Sequence, residues 1–290
     1  MDFNYGLFSK VKVFFHLIKF EHSIFALPFA YLGLFLAANG IPRLSVFIWV
    51  TIAMISIRTA GMCLNRLIDE PMDRLNPRTQ GRSAAIDFLK RSMILTVTFL
   101  ALFLFVFSSF KLNHLCFFLS PIPIFLIWLY PHLKKFTWFS HLILGIILGI
   151  APYAGWLAVK TEWSWVPFLL TLAVTSWVSG FDMFYALQDV DFDRTHHLKS
   201  FPVQFGIQKT LKVVRILHGL TIFSLGYFGF ILKMGIWYWI GWLVVLSLIL
   251  KEHRLVARFG IAKINEAFFN MNAWVSVVIF IAVALQLTMH

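Results

Sequence analysis

Two short stretches of the chain carry pairs of aspartates with the same spacing. Asp69 and Asp73 lie four residues apart, as do Asp189 and Asp193, and an arginine directly follows each pair. On a helix, side chains with this spacing share one face, with Cβ atoms about 5–6 Å apart. Two carboxylates so placed repel each other unless a cation lies between them. Ligands that are all oxygen favour Mg²⁺, which is commonly shared with substrate phosphates.

The similarity of the two stretches strengthens this interpretation. Two facing sites of this kind could bind about two or three Mg²⁺ ions and hold a diphosphate between them. The alternative is that the acidic side chains only solvate helix ends beside basic loops; a single motif would leave that open, and two matching motifs favour the metal site. Of the 13 acidic residues, seven lie at or just before the two stretches: Asp69, Glu70, Asp73, Asp182, Asp189, Asp191 and Asp193.

Polar and basic residues beside the aspartates could bind the same ligand. Asn65 lies one turn before Asp69 and could bind the metal or a phosphate, or serve only as a packing amide. Tyr185 could line a cavity and stabilise a cation with its ring face, or simply pack in the core. The planar fork of arginine suits phosphate oxygens. We therefore predict a group of substrate-binding cations: Arg74, Arg78, Arg82, Arg194 and Lys199.

Two further charges lie deeper on the same helix faces. Arg58 precedes Asn65 by seven residues, and Asp182 precedes Asp189 by seven. Seven residues are about two turns, or roughly 10 Å of helix. Charges inside a membrane normally face the interior of the bundle. We predict that both contribute to substrate binding, with Arg58 contacting an acidic acceptor; the alternative is that Arg58 and Asp182 pair with each other.

The composition indicates where these residues are held. The chain has 290 residues, of which 60% are hydrophobic and 13% are charged, whereas soluble proteins have about 25% charged residues. Apolar runs of roughly 17–25 residues recur, each long enough to cross a hydrocarbon core. They are continuous and do not alternate, which argues against a transmembrane barrel. We predict an all-α polytopic membrane protein with one domain, residues 1–290.

Nine spanning helices are predicted, with the two motifs in or beside the loops at 70–87 and 189–209. Pro71 lies between the aspartates of the first motif and is expected to break or restart that helix, because proline lacks the backbone donor. Gly145 and Gly149 form a small-xxx-small pair that permits close helix approach. The predicted spans are about 14–38, 44–68, 88–110, 112–130, 136–159, 165–188, 210–232, 234–250 and 267–287.

The basic residues predict an orientation. The net charge of +12 could suggest nucleic acid, but the cations lie between apolar spans, as membrane topology requires, and we predict no nucleic-acid partner. Of 25 Lys and Arg residues, Arg58 lies inside a span and only Arg43, Lys111, Lys160 and Lys233 lie on one side, which leaves 20 on the other. This predicts an inner-membrane protein with its N-terminus inside and both motifs facing the cytoplasm.

The first motif resembles that of a known family. The sequence Asn65-Arg66-x-x-Asp69-x-x-x-Asp73 is similar to the N-[DR]-x-x-D-x-x-x-D pattern of the UbiA-type intramembrane aromatic prenyltransferases. That family carries a second D-x-x-x-D motif after helix 6 of a nine-helix bundle. Arg66 at the second position resembles the branch that acts on aromatic acids in quinone biosynthesis, which implies a substrate-binding role for it.

Other segments extend the resemblance over essentially the whole chain. The second motif runs from Tyr185 to Asp193, with Lys199-Ser200 following. Residues 19–28 (KFEHSIFALP), the loop at 76–79 and residues 188–193 are most similar to bacterial 4-hydroxybenzoate polyprenyltransferases and to their relatives in futalosine-route menaquinone synthesis.

The resemblance implies a reaction that fits the spacing argument. Mg²⁺ on the four motif aspartates, which would be the catalytic and metal-binding residues together with Asn65, would stabilise a departing diphosphate. An allylic cation would then be attacked by a ring carbon of the aromatic acid. The implied substrates are a polyprenyl diphosphate and a hydroxybenzoate or dihydroxynaphthoate, in ubiquinone or menaquinone biosynthesis. The lipid bilayer would accept the long tail.

Three alternatives remain. A cation-coupled transporter also carries intramembrane acids, but repeats and broken helices at the midplane are not evident. Phosphatidyltransferases that use CDP-alcohols require one motif beginning Asp-Gly-x-x-Ala-Arg, which is absent. Family relatives that prenylate haem or chlorophyll precursors remain open on the motifs alone.

Overall fold

The protein is an assembly of α-helices. A computed structural model describes residues 7–260 and 264–289, and no strand occurs in those ranges. A 3₁₀ turn, Leu187–Asp189, separates α9 from α10. The helices are α1 Leu7–Leu17, α2 Glu21–Ala38, α3 Leu44–Leu75, α4 Gln80–Leu89, α5 Arg91–Leu112, α6 His114–Leu119, α7 Pro121–Phe136, α8 Ser140–Leu157, α9 Trp165–Ala186, α10 Val190–Thr195, α11 Phe201–Phe205, α12 Ile207–Ile231, α13 Ile236–Phe259 and α14 Ile264–Thr288.

The all-α membrane fold is confirmed. Within the described ranges, six helical segments are long and apolar enough to cross a membrane, and two shorter apolar helices cover Ala26–Ala38 and Trp274–Thr288. Large apolar side chains such as Phe99, Phe103 and Phe110 lie exposed along α5, as expected for a surface in contact with lipid. The chain is therefore a multi-pass membrane protein, while the count of nine spans stays a prediction.

The first predicted span, 14–38, is wrong because two helices replace it. Helix α1 ends at Leu17, and Lys19 adopts a left-handed backbone conformation with φ 51°. The N–H groups of Lys19 and Phe20 donate to the carbonyls of His16 and Phe15. This is a Schellman arrangement, which satisfies the last carbonyls of a helix and turns the chain. After this turn, α2 covers the remainder of the predicted span, from Glu21 to Ala38.

Proline 71 does not break the first motif helix, contrary to expectation. Helix α3 runs through Pro71 and ends at Leu75. The proline removes a single hydrogen bond close to the helix end, and the following turn is held by the N–H of Asn76, which donates to Met72. The break lies instead in the second motif, where the 3₁₀ turn ends at Asp189 before α10 begins. The two motifs therefore differ in backbone shape despite their equal spacing.

Glycines let α8 approach its neighbours closely. A Cβ atom at Gly145 would lie 2.5 Å from the carbonyl oxygen of Thr175 on α9, and one at Gly149 would lie 3.0 Å from that of Thr171. At a different face of α8, a Cβ at Gly155 would collide with the carbonyl of Ala30 on α2. The predicted small-residue packing is confirmed, and it fixes α9, which carries Asp182 and Tyr185, against α8.

We expect Gly145→Ala to lower the thermal stability of the protein in detergent. Overpacking of this kind costs about 1–3 kcal/mol, because the new methyl group must displace α9. Gly219→Ala on α12 is the matched control, since a Cβ there meets nothing within 4 Å. Melting temperatures measured side by side should fall for the first variant only; equal values would contradict the close packing.

Candidate active site

The ends of α3, α7, α8 and α9 enclose a polar cavity of about 180 Å³. Its wall collects acids, bases and tyrosines that are far apart in sequence. A larger groove of about 670 Å³ lies between α3, α5, α6 and α7, but apolar side chains such as Leu64 and Phe125 line it, so it offers no comparable chemistry. The polar cavity is lined by Asn65, Arg66, Asp69, Arg78, Arg82, Tyr130, Pro131, Lys134, His141, Asp182, Tyr185, Ala186 and Asp189.

The first motif is organised by a chain of hydrogen bonds along α3. Asn65 Nδ2 donates to Asp69 Oδ2 at 2.7 Å, and Arg66 Nη1 donates to Asn65 Oδ1 at 3.1 Å. Arg66 is buried, and its Nε donates to the carbonyl of Leu17 at the end of α1. Arg66 therefore orients Asn65, which in turn orients the carboxylate of Asp69.

The second member of each aspartate pair is more deeply buried. Asp73 is 6% exposed and Asp193 is 2% exposed. Arg82 Nη1 lies 3.3 Å from Asp73 Oδ1, while Oδ2 of Asp73 and Oδ2 of Asp193 have no hydrogen-bond partner among the described residues. A buried carboxylate oxygen without a partner is costly. A cation supplied from outside the chain could satisfy each oxygen, although neither Asp73 nor Asp193 is among the residues that line the polar cavity.

A bidentate contact joins the loop after the first motif to the second motif. Arg78, in the loop after α3, donates from Nε to Asp189 Oδ1 at 2.8 Å and from Nη2 to Oδ2 at 2.5 Å. Its Nη1 donates to the hydroxyl of Tyr185 at 2.8 Å, and Asn76 Nδ2 lies 3.3 Å from Asp189 Oδ1. Burial is the largest single influence on the pKa of Arg78 and lowers it, but the hydrogen bonds and charges of Asp189 and Tyr185 together outweigh burial, so the pKa lies above its ordinary value.

Sequence reasoning missed Lys134 as a cavity residue. In the sequence, Lys134 and Lys135 directly follow an apolar run. Basic residues in that position indicate membrane topology and do not by themselves indicate a cavity. The structure places Lys134 in the cavity wall on α7, and the backbone N–H of Lys199 donates to its carbonyl at 2.6 Å. Four carboxylates act electrostatically on its ammonium group: Asp193, Asp182, Asp69 and Asp189.

His141 and Tyr130 were missed as well. His141 lies on α8 with 1% of its surface exposed, and its Nδ1 is 2.6 Å from Asp182 Oδ2. An ionisable residue inside the predicted span 136–159 is itself a signal of function, so His141 could have been found. Tyr130 lies in an apolar run without a distinguishing neighbour, and no local pattern marks it.

Several predicted site residues lie away from the cavity. Arg74 Nη2 contacts Glu70 at 2.8 Å and Asp87 at 2.5 Å, and its hydrogen bonds lower the pKa of Asp87. Arg194 and the side chain of Lys199 are exposed. Arg58 is outside the set of described cavity residues, whereas Asp182 does line the cavity and contacts His141 there. The side chains of Glu21 and His22, in the segment that carries the family resemblance, lie outside the described residues.

The donor set fits a hard cation shared with a substrate. Between them, the described residues provide no group of three or more His, Cys, Asp and Glu that could hold a metal by themselves. Mg²⁺ is usually bound by one or two carboxylates together with waters and substrate phosphates. Two oxygen-only pairs, each with an unpartnered buried oxygen, match that requirement. The cations of Arg66, Arg78, Arg82 and Lys134 in the same wall suit an anionic substrate.

Comparison with known proteins decides the family. The model of the UbiA prenyltransferase family matches residues 26–276. The chain belongs to this family. It is 27% identical over 283 residues to a 4-hydroxybenzoate octaprenyltransferase from Francisella tularensis subsp. novicida, covering 96% of this chain and 98% of the relative. The predicted family membership is thereby confirmed.

Solved structures of UbiA homologues share the fold. The apo structure of a UbiA homologue from Aeropyrum pernix has a TM-score of 0.83 and 29% identity, over 91% of this chain and 97% of that one. A UbiA homologue from Archaeoglobus fulgidus bound to GPP and Mg²⁺ has a TM-score of 0.71 and 18% identity, over 94% and 99% of the two chains. The latter likeness concerns the fold alone.

Arg78→Ala should destabilise the protein more than Arg74→Ala. Removing Arg78 breaks its two bonds to the largely buried Asp189 and its bond to Tyr185, and leaving a buried acceptor unsatisfied costs about 1–3 kcal/mol. Arg74 is the matched control because its ion pairs are exposed to solvent, where such pairs contribute little. Thermal unfolding of both purified variants is the measurement. Equal losses of thermal stability would show that the contacts of Arg78 with Asp189 and Tyr185 stabilise the protein no more than the exposed ion pairs of Arg74 do.

Proposed function

We propose that the chain transfers a polyprenyl group from a polyprenyl diphosphate to an aromatic acid of the 4-hydroxybenzoate or dihydroxynaphthoate type, with Mg²⁺. The observation that carries this proposal is the convergence of acidic residues from both motifs with four cations in one cavity at the end of the helix bundle. The name of the Francisella relative supports the acceptor class. The product would enter ubiquinone or menaquinone biosynthesis.

Asp69, Asp73, Asp189 and Asp193 would hold the metal, with Asn65 beside them. When bound, Mg²⁺ supplies charge neutralisation for the diphosphate and makes it a better leaving group. The Mg²⁺ in the Archaeoglobus homologue structures supports this choice of ion. The oxygens of Asp73 and Asp193 that have no hydrogen-bond partner among the described residues are the groups that a bound cation would stabilise most.

The arginines would bind the diphosphate while keeping their protein contacts. A guanidinium has five N–H donors. Arg78 uses three of them in the contacts to Asp189 and Tyr185, and Arg82 uses one on Asp73. The remaining donors, with Arg66 and the ammonium of Lys134, are available to phosphate oxygens. Arg74, Arg194 and Lys199 are not among the described residues that line the cavity, and they would act on the approach of the anionic substrate.

The enclosed cavity would also protect the reacting carbon from water. Loss of the diphosphate leaves an allylic cation, whose charge the ring faces of Tyr185 and Tyr130 could stabilise. A ring carbon of the acceptor, beside its hydroxyl, then forms the new bond. Arg58, deeper on α3, would bind the carboxylate of the acceptor. The tail would remain between the helices and the bilayer, and we propose that the site faces the cytoplasm at the inner membrane.

Purified protein should transfer a labelled prenyl group from its diphosphate to an aromatic acid only when Mg²⁺ is present, and chelation should abolish transfer. Assays with 4-hydroxybenzoate and with a dihydroxynaphthoate would identify the acceptor. Asp69→Asn should lower kcat by about 10²-fold or more, since metal stabilisation of the leaving group supplies several kcal/mol. Asp191→Asn is the matched control, because Asp191 is exposed on α10. Transfer to neither acceptor would refute the proposal.

Arg58→Ala should raise the KM for the acid acceptor and leave that for the prenyl diphosphate unchanged. A charge-assisted hydrogen bond contributes about 1.5–3 kcal/mol, which corresponds to about a tenfold to hundredfold change. A phenol without the carboxylate should be used equally well by Arg58→Ala and the parent protein. An unchanged KM for the acid would exclude Arg58 from acceptor binding.

A further inference from the structure

The reaction proposed above releases a proton from the aromatic ring, and one carboxylate among the described cavity residues belongs to neither aspartate motif. Among the described cavity residues, the carboxylates are Asp69, Asp182 and Asp189. Asp69 and Asp189 belong to the motifs, where they would bind metal and contact Asn65 and Arg78. Asp182 lies outside both motifs and is 17% exposed at its side chain, so it retains an accessible surface.

Asp182 is held in place by a buried histidine. His141 Nδ1 and Asp182 Oδ2 are 2.6 Å apart. The other ring nitrogen, Nε2, accepts a long hydrogen bond of 3.4 Å from the backbone N–H of Phe201. Because an N–H group can only donate, Nε2 carries no proton, and the proton of the neutral imidazole is on Nδ1. His141 therefore donates to the carboxylate of Asp182 and fixes its orientation.

The position of Asp182 along α9 suits the ring of the acceptor. Asp182 precedes Asp189 by seven residues, about two turns or roughly 10 Å. The diphosphate would lie at the level of Asp189, and the reacting prenyl carbon just inside it. A ring carbon must come within about 3–3.5 Å of that carbon to react. The ring would thus lie between the levels of Asp189 and Asp182, beside Tyr185.

Other groups in the wall are less suited to take the proton. His141 is 1% exposed, and both of its nitrogens are occupied by Asp182 and Phe201. The hydroxyl of Tyr185 accepts a hydrogen bond from Arg78, and a neutral phenol is a weak base. Lys134 lies in the cavity wall and is proposed above to bind the diphosphate as an ammonium group, which cannot accept a proton.

We propose that Asp182 is the catalytic base for the acceptor ring and that His141 is its positioning residue. The bond from the prenyl carbon to the diphosphate oxygen breaks first, and a ring carbon of the acceptor then uses a pair of ring π electrons to form a bond to the resulting allylic cation. The electron pair of the ring C–H bond then restores the aromatic ring, and the proton moves to a carboxylate oxygen of Asp182. The diphosphate leaves with the electron pair of the broken bond. This role rests on the proposed prenyl transfer.

The test is the isotope effect with 4-hydroxybenzoate deuterated at the two ring carbons beside the hydroxyl. The parent protein should show almost none, because its proton loss is fast once the carbon–carbon bond has formed. Asp182→Asn should lose about 10²–10⁴-fold in kcat, the range for general-base catalysis, and should show a primary isotope effect because proton loss becomes limiting. The isotope effect is a ratio within one preparation, so partial misfolding does not alter it.

Further variants keep the test decisive if Asp182→Asn has no measurable turnover. Asp182→Glu retains a carboxylate and should keep more activity than Asp182→Asn. His141→Ala should reduce kcat and show an isotope effect, whereas His141→Asn, which places an amide donor near the position of Nδ1, should restore much of the rate. Asp191→Asn should behave like the parent protein in rate and isotope effect.

Two results would overturn the assignment, and they differ from failure of the proposed function. Asp182→Asn with the rate of the parent protein would exclude Asp182 as the base. A reduced rate without an isotope effect in Asp182→Asn and His141→Ala would assign both residues to structure or acceptor binding. If the parent protein transfers no prenyl group to any aromatic acid, the proposed function falls and this inference falls with it.

Discussion

Carboxylates buried at the end of an apolar bundle must be neutralised, and the arrangement of this protein follows from that requirement. Asp73, Asp189 and Asp193 are each less than 8% exposed, and an unpaired buried charge costs several kcal/mol. The chain brings Arg78 and Arg82 to two of them from the segment after α3. Lys134 approaches from α7. The contacts of Arg78 and Asn76 with Asp189 join the segment after α3 to the second motif.

Those polar contacts depend on how closely the helices pack. Gly145 and Gly155 allow α8 to lie against α9 on one side and α2 on the other, which places His141 within hydrogen-bond distance of Asp182 on α9. The cavity consequently has two levels. The motif carboxylates and the arginines lie at the end of the bundle, and the pair of Asp182 and His141 lies about two helix turns deeper. A substrate with a charged diphosphate head and an apolar tail matches this order of polar and less polar surroundings.

Where prediction from sequence was wrong, longer-range or terminal effects explain the difference. Pro71 was expected to interrupt α3, but it lies one turn from the helix end, where a single lost hydrogen bond is tolerated. The predicted span 14–38 contains no proline or glycine at the break, and the charged residues Lys19 and Glu21 there were the local signal that the span did not begin at residue 14. Arg74 was grouped with the diphosphate-binding arginines by proximity in sequence, whereas Glu70 and Asp87 hold it on the outer surface.

The sequence by itself determined the membrane character, the helical class, the two aspartate motifs and most of the charged residues that meet in the cavity. Each of these follows from composition or from spacing along one helix, which are local properties. Only the tertiary structure decided which residues are partners. Arg78 and Asp189 are 111 residues apart, and His141 and Asp182 are 41 residues apart. Such pairs arise from helix packing and loop direction, which depend on contacts among several distant segments at once, so spacing within one segment cannot specify them.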